Sequence, residues 1–179
     1  MSFAFVSGRI SLDFVGTLKW RNREQSEEQL TEPDRLADWA RAGQLIDEPL
    51  LVTPAKLARA VAVREALYRA VVQAIEGGEP DPAAVKMLNE AARRRPLTLR
   101  LVEGRLRRSG SVEQLLSSVI RDGLELLGGE QLQQVRQCTG QDCTRLFLDT
   151  SRAGKRRWCG MAECGNRAKV AAFRRRQHT

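Results

Sequence analysis

All four cysteines of the chain fall in one short stretch, Cys138, Cys143, Cys159 and Cys164, while the first 137 residues contain none. They form two close pairs with identical spacing: four residues inside each pair and fifteen between them. Two pairs of thiolates supply the four soft ligands of a closed tetrahedral site, the arrangement Zn²⁺ prefers when its task is structural. An iron–sulfur cluster or a set of redox thiols is the alternative chemistry. The four-residue spacers are longer than the commoner two, which makes the spacing less specific than a CxxC pair.

The chemistry between the pairs favours the metal reading. TRLFLD alternates and is β-prone through Leu146, Phe147 and Leu148, TSRAG is a turn, and KRRW leads back to the second pair. GNRAKVAAFRRR after Cys164 is a helix candidate, so the last ligands are expected at its start. Knuckle, hairpin and helix around one zinc ion describe a treble-clef-like finger, too small to bury a core, whose folding energy comes from the metal.

The rest of the chain is different in kind. It is long enough, within 179 residues, to bury a core without staples. Residues 1–130 carry 19 Lys and Arg against 19 Asp and Glu, whereas residues 131–179 carry 11 against 3 and so hold the whole formal charge of +8. A neutral body with a basic tail domain is a usual footprint of a polyanion partner, double-stranded DNA before an anionic membrane. Arg9, Asp13 and Lys19 interrupt the N-terminal apolar residues, and no apolar run approaches the ~20 residues of a membrane span. No signal-peptide pattern is present, so the expected location is the cytoplasm, at the nucleoid when bound to DNA. Thiols there are kept reduced, which again favours metal over disulfides.

The body, taken as 1–134, reads as mostly helical, giving a mainly α fold with a small β-hairpin and the finger at 135–179. Thr31, Thr53, Asp81 and Ser111 are N-cap candidates, three of them followed by proline in the first turn, and Ser111 with Gln114 makes a capping-box pattern. Leu57, Val61, Tyr68, Val71, Val72 and Ile75 form an apolar stripe. Leu97, Leu99 and Leu101 alternate, turn at Glu103 and Gly104, and return through Leu106 as a hairpin. Ile10, Phe14 and Leu18 suggest a short helix carrying Asp13, read as a structural carboxylate, and Trp20 and Trp39 read as core. No nucleophile elbow or phosphate-binding loop is present and the only histidine is His178, so no enzyme is expected. The body, having its own apolar helices and no metal ligands, is expected to fold without the finger and to receive a small-molecule effector or a protein partner.

On a helical wheel Asn166, Val170 and Phe173 fall together, and Ala168, Ala171, Ala172 and Arg175 occupy the opposite side. Arg167 and Arg174 rim that side on one edge, Lys169 and Arg176 on the other. Small residues with basic rims allow a helix close approach to a phosphate-lined groove, with Arg156 and Arg157 adding contacts from the hairpin. The bland reading is a solvated helix whose arginines balance the −2 of a four-thiolate zinc site. A zinc-stabilised protein-interaction module and a thiol redox switch stay open beside DNA binding.

RRWCGMAECGNRAKVAAFRRR resembles the signature of the CGNR zinc finger, spelled here by Cys164, Gly165, Asn166 and Arg167, over roughly residues 135–178. SLDFVGTLKWR and DRLADWARAG resemble the N-terminal domain that accompanies this finger in bacterial proteins grouped as putative stress-induced transcription regulators. The resemblance implies four zinc-binding cysteines and DNA binding through the finger. It departs at Gly16, where the family pattern has asparagine.

Overall fold

A computed structural model describes residues 3–24, 26–160, 164–166 and 170. The described body contains five α-helices: α1 (Ile10–Val15), α2 (Pro33–Ala42), α3 (Pro54–Ile75), α4 (Pro82–Ala92) and α5 (Val112–Leu127). Three two-stranded antiparallel ribbons accompany them: β1 (Leu18–Lys19) with β2 (Glu27–Glu28), β3 (Thr98–Val102) with β4 (Arg105–Ser109), and β5 (Val135–Gln137) with β6 (Leu146–Leu148). The fold is mainly α, as expected.

Helix starts follow the capping residues closely. The Thr53 hydroxyl accepts from Lys56 N–H, Asp81 accepts from Ala83 N–H, and Ser111 and Gln114 complete a reciprocal capping box. Thr31 is the exception. Pro33 opens α2 and forces the residue before it into extended backbone, so the cap position falls on Glu32, with no side-chain cap bond.

Helix α3 is the central element, packed on α1, α2, α4 and α5. Its deepest face is Ala60, Val63, Ala66, Leu67, Ala70 and Val71, of which only Val71 belongs to the large-residue stripe; Leu57, Val61, Tyr68, Val72 and Ile75 are half-buried around it. Alanines let neighbouring helices approach closely, which a pattern of large side chains does not reveal. Two apolar clusters form around α3. One joins Leu12, Val15, Leu67, Leu88 and Ile120; the other joins Phe14, Leu36, Trp39, Ala60 and Leu115. The short α1 is buried from Ser11 to Val15 and lies between them, contributing to both. Trp39 is core, whereas Trp20 is half-buried at φ 53°, with Lys19 and Arg23 over its ring.

One buried charge sits on α3. Arg64, 1% exposed, donates to both Glu28 oxygens at 2.7 and 2.6 Å, to Glu65 at 2.8 Å and to Thr17 Oγ1 at 3.0 Å. Burial alone would raise the Glu65 carboxyl, but Arg21 and Arg64 together hold it below its ordinary value. Arg21 extends the network by donating to the carbonyls of Leu18 and Val15 and stacking on Tyr68 at 4.1 Å. The β1–β2 ribbon is therefore fastened to α3 by charge rather than by apolar burial.

Candidate metal centre and its basic surround

The first cysteine pair sits in the hairpin loop between β5 and β6. Cys138 N–H donates to Arg145 O at 3.0 Å, Cys143 N–H to Gly140 O at 3.0 Å, and Asp142 takes the left-handed turn conformation at φ 59°. A Cβ at position 140 would lie 3.0 Å from Cys164 Sγ and 3.4 Å from Cys138 Sγ, so glycine is what lets the knuckle close over the sulfurs. The expected strand Leu146–Leu148 is present, but its partner is β5, ahead of the first cysteine, rather than KRRW. The returning segment meets the knuckle instead: Thr139 N–H and Oγ1 both donate to Arg157 O. Cys164 to Asn166 and Val170 have helical backbone, as expected for the last ligand.

These turns bring all four sulfurs within 4.8 Å of one another, with Cys143 to Cys159 at 3.9 Å and Cys159 to Cys164 at 3.7 Å. A tetrahedral zinc with Zn–S of about 2.3 Å has S···S edges of about 3.8 Å. The site fits one Zn²⁺, and four thiolates leave it no open position. Cys138 Sγ also accepts from Gly140 N–H at 3.4 Å and Cys159 N–H at 3.3 Å. Without a metal the thiols share protons unequally. The Cys138 sulfur, accepting from the Cys143 and Cys159 thiols, is held far below the ordinary thiol value, while donation to Cys138 pushes Cys143 up to about 12 and raises Cys159. Zinc binding must displace those protons, so acid competes with the metal. Purified protein is expected to carry one zinc per chain and to release it as pH falls, followed with a chromogenic chelator. Absence of zinc, or iron with a visible absorption band, overturns the assignment.

Strand β6 has no solvent face. Leu146 and Leu148, with Val135 of β5, belong to the body's core beside Leu12 and Leu67, whereas Phe147 packs with Cys138, Cys159 and Cys164. The division expected at residues 134 and 135 falls at the start of β5, whose first residue is part of the body's interior. Further bonds cross the same seam. Thr144 Oγ1 accepts from Arg21 N–H, Arg23 pairs with Asp142 at 2.7 Å, and Leu148 N–H donates to Ser7 O.

Of the candidate nucleic-acid contacts, Arg156 has its donors on carbonyls of Trp158, Leu148, Val6 and Cys159, and its guanidinium lies 4.4 Å over Phe147. It braces the metal turn against the N-terminal segment. Arg157 is exposed, its guanidinium 5.7 Å from the Trp158 ring. Arg167, Lys169, Arg174, Arg175 and Arg176 lie outside the described residues. The expected contact set left out Arg152 and Lys155, both exposed, and a cleft of about 390 Å³ lined by Lys155, Arg157, Trp158 and Gly160. It also passed over Asp149, whose carboxylate accepts from Ser151 Oγ and N–H and from Arg156 N–H and so folds the loop carrying these cations. The Ser151 hydroxyl holds that carboxyl below its ordinary value.

In the body, Asp13 accepts from Val6 and Ser7 N–H at 3.0 and 2.9 Å. Burial pushes its carboxyl up, against those bonds and the nearby Arg145. This is the structural carboxylate expected from sequence. Arg145, 5% exposed, fills the space in front of Gly16, where a Cβ would lie 2.6 Å from its Nη1. Glycine at position 16 leaves room for this guanidinium.

No helix among the described residues is long and apolar enough to cross a membrane. No curated protein matches the chain. The CGNR zinc finger model matches residues 134–177, covering all four cysteines. The ABATE model, described as a putative stress-induced transcription regulator, matches residues 8–130, from the turn before α1 to the end of α5. The chain therefore belongs to the ABATE family and carries a CGNR zinc finger with four cysteines placed for one metal ion.

Proposed function

We propose that the protein is a cytoplasmic regulator, not an enzyme, that binds duplex DNA through its zinc finger, the helical body receiving an effector or a partner protein. The observation that carries this reading is the finger's unneutralised charge. Arg152, Lys155 and Arg157 are exposed with no acidic partner among the described residues, while Asp142 is paired with Arg23 and Asp149 is occupied by its own loop. The −2 of a four-thiolate zinc site needs far less than the 11 basic residues between 131 and 179. Zinc in this reading holds the basic loop in place and supplies no chemistry.

The test is the salt dependence of binding to a mixed duplex by zinc-loaded protein. Each phosphate that a basic side chain neutralises adds about 0.9 to the slope of log affinity against log salt, so Arg174→Ala with Arg176→Ala should lower it by about 1.8 with zinc content unchanged. No measurable affinity at about 50 mM salt, with zinc fully bound, would sink the DNA reading in favour of a protein-interaction module.

A further inference from the structure

The body is neutral as a whole but not locally. Residues 93–108 contain seven arginines and one glutamate, Glu103. They surround the β3–β4 ribbon, whose strands pair Leu99 with Arg108, Arg100 with Arg107, Leu101 with Leu106 and Val102 with Arg105. Residues opposed across an antiparallel pair share a face. One face therefore carries Arg100, Arg105 and Arg107 with Val102, and the other carries Leu99, Leu101 and Leu106 with the half-buried Arg108. Leu99 is 62% and Leu101 76% exposed, and the three arginines are exposed and without an ion pair among the described residues. Like charges directly opposed, as Arg100 and Arg107 are, destabilise a ribbon that has no counter-charge. The tip turns tightly at Glu103 and Gly104, both at positive φ, and the ribbon has two strands.

We infer that this ribbon is a second duplex-DNA-binding element, separate from the zinc finger, with Arg100, Arg105 and Arg107 on phosphates. The inference rests on the DNA reading above and adds to it a site in the body. A two-stranded ribbon fits the B-DNA major groove, about 12 Å wide, and phosphates supply the charge the arginine face lacks. A bilayer fits less well: burying the leucine face in lipid would turn Arg100, Arg105 and Arg107 away from the headgroups. A second copy fits less well too, because three leucines offer little toward the roughly 1,200 Å² of a stable interface.

The experiment uses the full zinc-loaded chain and a mixed duplex. Arg100→Gln, Arg105→Gln and Arg107→Gln together should lower the salt slope by about 2.7, with zinc content unchanged, and the corresponding lysine triple should keep most of it. If the glutamine triple folds poorly, a photo-crosslinking residue in place of exposed Val102, beside Arg105 on the same face, should label duplex DNA in a protein that keeps all its arginines. Wild-type protein that binds duplex while the glutamine triple keeps its slope, or while position 102 labels no DNA, overturns the ribbon site and leaves the finger reading standing. Loss of adsorption to phosphatidylserine vesicles with an unchanged DNA slope assigns the face to membranes and also overturns it. Failure of wild-type protein to bind duplex at all removes both readings.

Discussion

Cys159→Ser is expected to abolish zinc binding and, with it, to lower the stability of the helical body by at least about 3 kcal/mol. The second half of that result follows from β5 and β6. Val135, Leu146 and Leu148 form part of the wall of the core built on α1, α3 and α5. Structural zinc in small fingers supplies on the order of 10 to 16 kcal/mol, and without it the Cys138–Cys143 knuckle that joins the two strands keeps only its backbone bonds and the Arg23–Asp142 pair. Loosening three buried apolar side chains costs about as much as truncating one or two of them. Circular dichroism during thermal unfolding would report it. The self-sufficient body expected from sequence predicts an unchanged helical midpoint in the zinc-free protein, and that outcome would show that the core closes without the ribbon.

Arg64→Ala should cost a comparable amount, about 3 kcal/mol, because it leaves Glu28 with the Leu30 N–H but no cation and Thr17 Oγ1 without its charged donor inside the fold. Glu65 keeps Arg21 and suffers less. Replacing both partners, Arg64→Met with Glu28→Leu, should recover much of the loss, since a buried pair often stabilises little more than well-packed apolar residues. Urea unfolding of the two proteins separates the possibilities. Equal destabilisation in the single and double variants would mean that the pair is needed for its geometry rather than to cancel a buried charge.

These two sites mark where sequence reading ended. Local signals were legible: Thr53, Asp81 and Ser111 cap the helices they precede because capping needs only neighbours in the chain. Four thiols at matched spacings specify a tetrahedron without reference to anything else. Features that depend on distant neighbours were not legible. Arg64 sits within an apolar helical pattern and reads as a surface residue until Glu28, 36 positions earlier, is brought beside it. Arg156 counts as positive charge in sequence, yet its donors are spent on carbonyls, one of them 150 residues away. The partner of Leu146–Leu148 was missed because Val135 is a single apolar residue among glutamines, with no alternation to mark a strand.

A strand buried on both sides also cannot slip. Moving β6 by one residue would swing Phe147 into the helical core and press Leu146 and Leu148 against the thiolates, so each side forbids the shift that the other would tolerate. Cys138 and Cys143 sit in the loop this strand closes, so the packing that fixes its register also fixes which positions of the loop face the metal. The body acts as a mould for the metal site.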